Sequence, residues 1–499
     1  MYDTLGAKAE QAVTGVSGLD DILAGGLARN RLYLLEGSPG TGKTTAAMSF
    51  LRAGARAGEK TLYITLAETD EELRDTAVSH GWDMEGVEIF ELVPPESLLD
   101  EQQQQSLLYS SDLELGETTR MIFEAVERVE PARVVIDSLS EIRLLAQSSL
   151  RYRRQVLALK HYFAKRNATV LMLDDLTTEA LDKTVHSVAH GVIRLEELAP
   201  EYGAERRRIR IIKYRGRKFR GGYHDFTIKT GGLEVYPRLV SSEHRKTFSR
   251  EALPSGIEGL DQLLDGGIER GSSCLILGPA GTGKSLVSLY FALSALQRGE
   301  RAAMFVFDEE IGLLIHRTQA FGIDMAALIE SGALIVHQVD AAELSPGEFT
   351  AMVRECVDNS NIRTVIIDSL NGYQAAMPEE TFLLLHIHEL LQYLNRQGAT
   401  TFLTVAQHGL VGDMKAPVDV TYLADTVLLL RYFEAQGHVR RALAVIKKRS
   451  GGHEKTIREF EIGGGGLTVG PPLEQFQGVL RGVPNFVGPG GGLMGDTSA

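Results

Sequence analysis

Short apolar runs alternate with helix-length segments along the chain. The runs form six pairs, with one member of each pair in either half, and they lack the polar alternation of strands that face water on one side. Such runs are typical of strands buried on both faces of a mostly parallel sheet, and the segments between them favour an α/β fold. The paired runs occupy residues 32–35 and 274–277, 62–66 and 304–307, 133–138 and 363–369, 168–173 and 399–405, 191–195 and 426–430, and 210–213 and 443–447.

The two halves repeat each other beyond these runs. Residues 14–20 recur as residues 254–261, and each copy is followed by two adjacent glycines. The lysines of two glycine-rich loops, Lys43 and Lys284, lie 284 − 43 = 241 positions apart. We therefore predict two tandem domains, each with a mostly parallel twisted sheet flanked by helices.

A polar stretch at residues 241–246 marks the predicted boundary between the copies. We place the first domain at residues 1–245 and the second at residues 246–486. Residues 487–499 are rich in glycine and are predicted to form a flexible tail.

Composition narrows the class of protein. The chain has 499 residues, of which 43% are hydrophobic and 24% are charged, which is ordinary for a soluble globular protein. Its formal net charge of −14 argues against a protein sheathed in nucleic acid. Cys274 and Cys356 are interpreted as buried thiols in a reducing compartment, and no apolar stretch is long enough to span a bilayer. We expect a cytoplasmic protein that does not enter membranes.

A phosphate-binding loop follows the first apolar run of each half. Both loops consist of a glycine, four further residues and then Gly-Lys followed by Ser or Thr, between a predicted strand and a predicted helix. Lys43 and Lys284 are expected to reach the β- and γ-phosphates of ATP, while Thr44 and Ser285 offer a hydroxyl to Mg²⁺. The predicted ATP-binding residues are Gly37, Ser38, Pro39, Gly40, Thr41, Gly42, Lys43, Thr44, Thr45, Gly278, Pro279, Ala280, Gly281, Thr282, Gly283, Lys284, Ser285 and Leu286.

Carboxylates follow two further runs in each half. Asp137 and Asp368 each end a run that reads Ile-Asp-Ser, where an acid can hold the magnesium shell; an ordinary strand-end cap is the alternative. Glu68 in the first half, and Asp308 and Glu309 in the second, are candidate catalytic groups that orient or deprotonate an attacking water. A solvated charged turn is the alternative for them. The adjacent pair could also accept a proton from a hydroxyl, as the base of a kinase does.

Cations close the last long run of each half. Lys213 and Arg215, and likewise Lys447 and Arg449, could reach a γ-phosphate in the same subunit or across an interface, and the sequence does not decide between the two. The basic run at residues 206–220 admits DNA binding, but alternating charge along an exposed strand is the stronger interpretation in an acidic protein.

Together these motifs make the chain resemble the KaiC family of RecA-like ATPases over roughly residues 10–485. The resemblance rests on the Gly-Leu-Asp segment with its paired glycines, both phosphate loops, the acids after the second run, Ile-Asp-Ser, and Lys-x-Arg. It implies two tandem RecA-like domains and a double-ring homohexamer, with ATP and Mg²⁺ held between neighbouring subunits. It also implies contacts to the neighbour's nucleotide from Lys213, Arg215, Lys447, Arg449 and His453.

The chain departs from the family's pattern at four places, one of them Asp308, which is one methylene shorter than the acid expected at the first position of the second half's pair. The family has two adjacent glutamates after the second run of the first half, whereas this chain has Ala67 and Glu68, so hydrolysis there is expected to depend on Glu68 alone. The adjacent hydroxyl residues that clock members phosphorylate correspond to Thr421 and Tyr422, which makes Thr421 the candidate phosphoacceptor. The first half also lacks the histidine that the second half keeps as His453.

Four functions follow from these observations. The leading one is a slow ATPase that couples hydrolysis to conformational signalling. The second is a Ser/Thr autokinase in which the second half phosphorylates Thr421. The third is a non-enzymatic, ATP-dependent switch or scaffold that recruits a KaiB-like protein. The fourth, a DNA-dependent RecA-like motor, is not favoured, because nucleic acid is an unexpected partner for this charge.

Overall fold

The computed structural model describes most of the chain. The described residues are 11–92, 107–176, 184–199, 203–375, 380–407, 421–481 and 484–487. The chain divides into two units, residues 1–238 and 239–499, here called the first and second unit. Of the predicted tail at 487–499, only Val487 belongs to the described residues.

The polar stretch at residues 241–246, where the domain boundary is predicted, packs within the second unit. The backbone N–H of Ser241 donates to Glu389 Oε2 at 3.2 Å, and that of Lys246 donates to the carbonyl of Arg396 at 3.0 Å. The predicted domain boundary between residues 245 and 246 stays a prediction.

Strands and helices alternate along the first unit. Its strands are β1 (Gln11–Ala12), β2 (Leu27–Ala28), β3 (Leu32–Gly37), β4 (Thr61–Thr65), β5 (Val87–Glu91), β6 (Arg133–Asp137), β7 (Thr169–Asp175), β8 (Gly191–Leu198), β9 (Arg206–Tyr214), β10 (Tyr223–Lys229) and β11 (Gly232–Tyr236). Its helices are α1 (Leu19–Ile22), α2 (Lys43–Arg56), α3 (Asp70–Ser79), α4 (Leu107–Val129), α5 (Leu139–Ala146), α6 (Ser149–Lys165) and α7 (Thr184–Val188).

Nine of these strands form one sheet in the order β11-β10-β9-β8-β3-β7-β6-β4-β5. All neighbours from β8 to β5 are parallel, whereas β9, β10 and β11 form an antiparallel meander at the other edge. Helices cover both faces, which is why the central strands lack polar alternation. Tyr33 and Leu35 pack with α2 on one face, and Leu32 and Leu34 pack with α4, α5 and α6 on the other. We call these the α2 face and the α6 face.

The second unit repeats this series of elements. Its strands are β12 (Ala252–Leu253), β13 (Ile268–Glu269), β14 (Ser273–Gly278), β15 (Arg301–Val306), β16 (Leu334–Gln338), β17 (Ile362–Asp368), β18 (Thr400–Ala406), β19 (Thr426–Ala435), β20 (His438–Lys448), β21 (Ile457–Gly463), β22 (Gly466–Pro472), β23 (Phe476–Gln477) and β24 (Asn485–Phe486). Its helices are α8 (Glu258–Leu263), α9 (Lys284–Gln297), α10 (Ile311–Gln319), α11 (Met325–Glu330), α12 (Pro346–Asn359), α13 (Leu370–Ala375) and α14 (Glu380–Gln397). None of the helices among the described residues has the length and apolar character needed to cross a membrane.

The sheet of the second unit has the same topology as that of the first. Its order is β16-β15-β17-β18-β14-β19-β20-β21-β22, with a parallel part from β16 to β19 and an antiparallel meander after it. Cys274 and Ile276 pack with α9 on one face, while Leu275 and Leu277 pack with α12 and α14 on the other. We call these the α9 face and the α14 face. The prediction of two tandem RecA-like α/β domains is confirmed.

The glycine before each loop lysine is required by its backbone conformation and lies against the antiparallel meander. Gly42 has φ +89° and Gly283 has φ +101°, in the left-handed region that favours glycine. A Cβ at Gly42 would lie 2.8 Å from Ile228 Cδ1 of β10, and one at Gly283 would lie 2.4 Å from Ile462 Cδ1 of β21. The antiparallel meander therefore fixes the start of the helix that follows each loop.

Arg133, at the start of β6, anchors the first unit from inside. Its Nη1 donates to the carbonyl of Val13 at 2.6 Å and to that of Phe50 at 2.9 Å, and its Nε pairs with Glu59. The side chain is 2% exposed. One guanidinium thus ties the N-terminal segment, α2 and the turn before β4 to the sheet.

We expect Arg133→Ala to lower the free energy of unfolding of the first unit by about 3–5 kcal/mol, because it leaves Glu59 and two carbonyls without their buried partner. Arg128→Ala is the matched control, because Arg128 pairs with Glu88 in solvent and its loss costs about 1 kcal/mol or less. Trp82 is the chain's single tryptophan and lies in the first unit, so its fluorescence follows this unfolding in urea. Equal midpoints for the two variants would contradict the anchoring role.

Candidate functional site

The first phosphate loop lies at the carboxyl end of β3, where the parallel strands end together. Lys43 Nζ lies 2.9 Å from the carbonyl oxygens of Gly37 and Ser38, and 2.7 Å from Asp175 Oδ1 at the end of β7. Thr41 Oγ1 donates to the Ser38 carbonyl at 2.7 Å, which closes the loop on itself. Lys43 is 8% exposed, so its ammonium is held under the loop.

Thr44 and Asp137 meet beside this lysine, as a magnesium site requires. Thr44 Oγ1 lies 3.4 Å from Asp137 Oδ2, and Tyr63 donates its hydroxyl to the same oxygen at 2.5 Å. Burial raises the pKa of Asp137, and the negative charge of Asp175 adds to this effect. A hydroxyl beside a carboxylate suits Mg²⁺, which binds one or two protein oxygens and keeps several waters. The residues present therefore fit the ion.

Glu68 lies near the same carboxylates, at the end of the segment that leaves β4. Partial burial raises the pKa of Glu68, and the negative charges of Asp137, Glu72 and Asp175 raise it further, while Lys43 opposes them. A carboxylate whose pKa is raised in this way is a better proton acceptor than an ordinary surface glutamate. The structure thus brings Lys43, Thr44, Glu68 and Asp137 together.

Asp175 is the residue that the sequence prediction missed. It pairs in register with Gly37, the first residue of the loop, and it adds a third carboxylate to the site. In the second unit the same register position, opposite Gly278, is occupied by Ala406. The sequence carried a signal for Asp175, since an acid at the end of a buried run is what marked Asp137.

The second loop holds its lysine in a similar way, but with a different neighbour. Lys284 Nζ lies 2.8 Å from the carbonyl of Pro279, to which Thr282 Oγ1 also donates at 2.9 Å. Burial lowers the pKa of Lys284, partly offset by the negative charge of Asp368. Thr404 donates its hydroxyl to Asp368 Oδ1. Lys43 pairs directly with Asp175, whereas among the described residues no ion pair joins Lys284 to a carboxylate.

Asp308 and Glu309 are positioned differently from each other. Ser369 donates its hydroxyl to Asp308 Oδ2 at 2.6 Å, which connects Asp308 to the end of β17. Glu309 pairs with Arg317 of α10 at 2.9 Å. Burial raises the pKa of Glu309, the charge of Asp368 adds to this, and Arg317 opposes it. Glu309 thus has a charged partner, whereas Asp308 is bound by a serine hydroxyl.

The remaining loop residues are exposed in the middle of each loop and buried where the following helix begins. Ser38, Pro39, Gly40, Ala280 and Gly281 are exposed, whereas Thr45 and Leu286 are buried in the first turns of α2 and α9. A cavity of about 260 Å³ opens beside the second loop, between Ser285, Leu286, Arg317 and Ile462. Apolar walls with a few converging polar groups are typical of a small-molecule site.

Lys213 and Arg215 do not share a face with the first loop. Lys213 pairs in register with Val192, which packs on the α6 face, and its Nζ donates to the carbonyl of Ala189 at 2.8 Å. Arg215 Nη2 donates to the carbonyl of Ser187 at 2.7 Å. Because α2 lies on the other face and the loop lies at the carboxyl end of the strands, these cations are separated from the phosphate loop of the same unit.

Lys447 and Arg449 repeat this arrangement in the second unit. Lys447 pairs with Val427 on the α14 face, and its Nζ donates to the carbonyl of Thr421 at 2.9 Å. Arg449 Nη2 donates to the carbonyl of Tyr422 at 2.9 Å. The candidate phosphoacceptor therefore lies with these cations and away from the loop lysine of its own unit. His453 is partly buried in the connection between β20 and β21.

Two arginines of the basic run in the first unit are paired with acids on their own sheet. Arg207 pairs with Glu197 at 3.1 Å and with Glu205 at 2.6 Å, and Arg208 pairs with Glu196 at 2.7 Å. Cross-strand pairs of this kind neutralise β9. This geometry favours the interpretation as a charged strand over a DNA-binding stripe.

These features define a class of protein. A strand, a Gly-Lys-Ser/Thr loop and a helix at the carboxyl edge of a parallel sheet, repeated twice, are those of a tandem RecA-like phosphate-loop ATPase fold. The family model described as "ATPase: KaiC" matches residues 12–240 and 253–474, and the chain belongs to that family.

Full-length relatives agree with this assignment. The chain is 28% identical over 489 residues to the circadian clock protein KaiC3 of Synechocystis sp., covering 96% of this chain and 95% of the relative. It is 27% identical over 492 residues to the circadian clock oscillator protein KaiC of Thermostichus vulcanus, covering 96% and 93%. The chain is a KaiC-like ATP-binding protein.

We expect Asp175→Asn to tighten ATP binding at the first loop. The change removes a negative charge beside the phosphates and frees Lys43 from its ion pair. A gain of roughly three- to tenfold in affinity corresponds to about 1 kcal/mol of charge repulsion. The measurement is calorimetric titration with a non-hydrolysable ATP analogue, in a Lys284→Ala background so that the first loop dominates.

Asp75→Asn, an exposed acid on α3, is the control for net charge. The same affinity for Asp175→Asn and Asp75→Asn would show that Asp175 does not act on the nucleotide through Lys43.

Proposed function

We propose that this protein hydrolyses ATP slowly at sites formed between two subunits and couples hydrolysis to conformational signalling. One observation carries the proposal. In both units the phosphate loop lies at the carboxyl end of the parallel strands, while Lys213 and Arg215, or Lys447 and Arg449, lie toward the amino end, on the face away from the helix that follows the loop. Cations that stabilise a γ-phosphate can be supplied by a second protein chain. A complete site therefore uses the loop of one subunit and the cations of the next.

Within the first site, each group has a separate task. Lys43 balances charge on the β- and γ-phosphates once it leaves Asp175, and the loop N–H groups orient them. Thr44 and Asp137 would hold Mg²⁺, which supplies further charge neutralisation on the phosphate oxygens. Glu68 accepts a hydrogen bond from the attacking water and orients it in line with the bond that breaks.

The second site uses the same parts with different acids. Lys284 balances phosphate charge, and Ser285 and Asp368 would hold the metal ion. Glu309 is the stronger candidate for the base, because its pKa is raised, while Asp308 is held by Ser369. The cavity beside Ser285 and Leu286 offers apolar walls for the nucleoside.

The proposed assembly is a homohexamer of two stacked rings, in which every interface completes a site. The named clock relatives support signalling as the output, with a KaiB-like protein as the proposed partner. The alternative is a non-enzymatic scaffold that binds the same partner. It differs from the proposed enzyme only in that it does not hydrolyse ATP. A DNA-dependent motor has less support, because the arginines of β9 are paired with acids.

Complementation between inactive subunits tests the shared site. In a Lys284→Ala background, Lys43→Ala removes the first loop's grip and Arg215→Ala removes the cation from the next subunit. Each variant alone is expected to lose about 100-fold or more of the remaining ATPase rate. Mixed and reassembled, the two recover part of that rate, since some interfaces pair an intact loop with an intact arginine. The measurement is phosphate release against mixing ratio.

Two outcomes would contradict the proposal. A mixture no faster than the average of its components means that loop and arginine act in one subunit. A parent protein with no more turnover than the Lys43→Ala, Lys284→Ala double variant means that the chain is a switch without hydrolysis. Lys165→Ala, an exposed lysine at the end of α6, serves as the control substitution.

Autophosphorylation of Thr421 is a second candidate function, favoured by one contact. The carbonyl of Thr421 accepts from Lys447 Nζ at 2.9 Å, which places the residue beside a proposed γ-phosphate ligand. The phosphate would then come from the nucleotide of a neighbouring subunit. The adjacent Tyr422 is 52% exposed and is the competing acceptor.

We expect incubation with γ-labelled ATP to label the protein, and the label to be lost in Thr421→Val, which keeps the shape and removes the hydroxyl. Tyr422→Phe is the matched control and should keep the label. Loss of label in Tyr422→Phe alone would move the acceptor to the tyrosine. Label retained in both variants would place it at neither residue.

A further inference from the structure

A cavity of about 190 Å³ lies at the amino end of the first unit's sheet, away from the phosphate loop. Its polar side is formed by Arg31, Lys160 and His190, and its apolar wall includes Leu32 and Phe163. Arg31 precedes β3, Lys160 lies on α6, and His190 precedes β8. Three different elements thus direct basic side chains to one open cavity, whose apolar wall weakens screening by water.

The cations around this cavity are bound to carbonyls. Lys160 Nζ donates to the carbonyl of Val188 at 2.8 Å, and Arg31 Nη1 donates to that of Asn30 at 3.0 Å. Arg215 is close enough to influence the pKa of Lys160. Within the described part of the chain, none of these three cations forms an ion pair with a carboxylate. Carbonyl contacts leave the positive charge of the cluster uncompensated.

Mutual repulsion between these groups is visible in their proton affinities. Burial lowers the pKa of His190, and the cations Arg31, Arg215 and Lys160 lower it further. Burial likewise lowers the pKa of Lys160, together with the charges of Arg215 and Arg31. Like charges brought together in a partly apolar cavity cost free energy, and an anion bound among them would relieve that cost.

The second unit has a carboxylate at the corresponding place. His190 directly precedes β8 and Asp425 directly precedes β19, the strands next to the loop strands β3 and β14. The backbone N–H of His190 donates to the carbonyl of Leu32, and that of Asp425 donates to the carbonyl of Ser273. Asp425 pairs with Arg449 at 3.3 Å. Lys160 lies eight residues before Ala168, and the residue eight before Ala399 is Leu391. The set of Arg31, Lys160 and His190 is therefore found in the first unit, whereas the corresponding cavity of the second unit places Arg245, Arg396 and Arg449 beside the carboxylate of Asp425.

We propose that this cavity binds a compact tetrahedral oxyanion of the phosphate class. Guanidinium and ammonium groups are the side chains that recognise such anions, and charge-assisted hydrogen bonds to them are strong. The anion is either free inorganic phosphate or the terminal phosphate of a nucleotide held by another subunit; the second source alone rests on the proposed function. The site is separate from the phosphate loops, and its combination of Arg31, Lys160 and His190 is that of the first unit.

The experiment has two arms, both with the full-length chain. In the first, equilibrium dialysis measures labelled inorganic phosphate bound by the Lys43→Ala, Lys284→Ala variant, in which both loops are silenced. In the second, calorimetry measures a non-hydrolysable ATP analogue bound by the chain with intact loops. Each arm compares Lys160→Leu, which installs the residue of the second unit, with Lys165→Leu on the exposed side of the same helix.

We expect Lys160→Leu to weaken binding about tenfold or more in at least one arm, as for loss of a charge-assisted contact, and Lys165→Leu to leave binding unchanged. A loss in the first arm identifies free phosphate, independently of assembly or hydrolysis. A loss confined to the second arm identifies the nucleotide's terminal phosphate. Equal binding by the two variants in both arms overturns the proposal. Arg31→Ser, which copies Ser272, replaces Lys160→Leu if that variant does not fold.

Discussion

A one-residue bulge in each sheet decides on which face the strand-end lysine lies. In β9, Ile211 pairs with Ile193 but Lys213 pairs with Val192, so Ile212 is the extra residue. Without the bulge, strict alternation would place Lys213 on the α2 face, with the phosphate loop. With it, the lysine lies on the α6 face, bound to carbonyls near α7. The loop and the cation of one unit are thereby kept on opposite sides of a sheet.

The sheet of the second unit has a bulge at the same place, so the bulge belongs to the repeated domain. Leu428 pairs with Val445, and Val427 pairs with Lys447, leaving Ile446 as the extra residue. Each lysine is also level with a residue three positions before the first glycine of its loop, Leu34 for Lys213 and Leu275 for Lys447, so both the sheet and about 10 Å along it separate the lysine from its own loop. This separation is the physical reason for proposing sites between subunits. It also accounts for the position of Thr421, whose carbonyl accepts from Lys447.

Much of the fold followed from the sequence, because buried parallel strands and phosphate loops leave strong local signals. Runs without polar alternation predicted the central strands, and the glycines before Lys43 and Lys284 predicted loops that begin helices. The face of Lys213 could not be predicted, since it depends on a bulge that no residue type announces. Asp175 was missed for another reason: its counterpart is Ala406, and an argument built on repetition overlooks a residue found in one copy.

The differences between the units form a pattern of charge. The first unit has an additional acid at its loop, Asp175, and uncompensated cations at the far edge of its sheet. The second has Ala406 at the first position and Asp425 at the second, where it pairs with Arg449. If the loop of one subunit meets the far edge of the next, the interface between first units joins a more acidic surface to a more basic one. Such complementarity steers association and suppresses wrong partners more than it adds affinity. Under the proposed ring assembly, this charge pattern would favour association through the first units, and binding of nucleotide or oxyanion would change the charge at that interface.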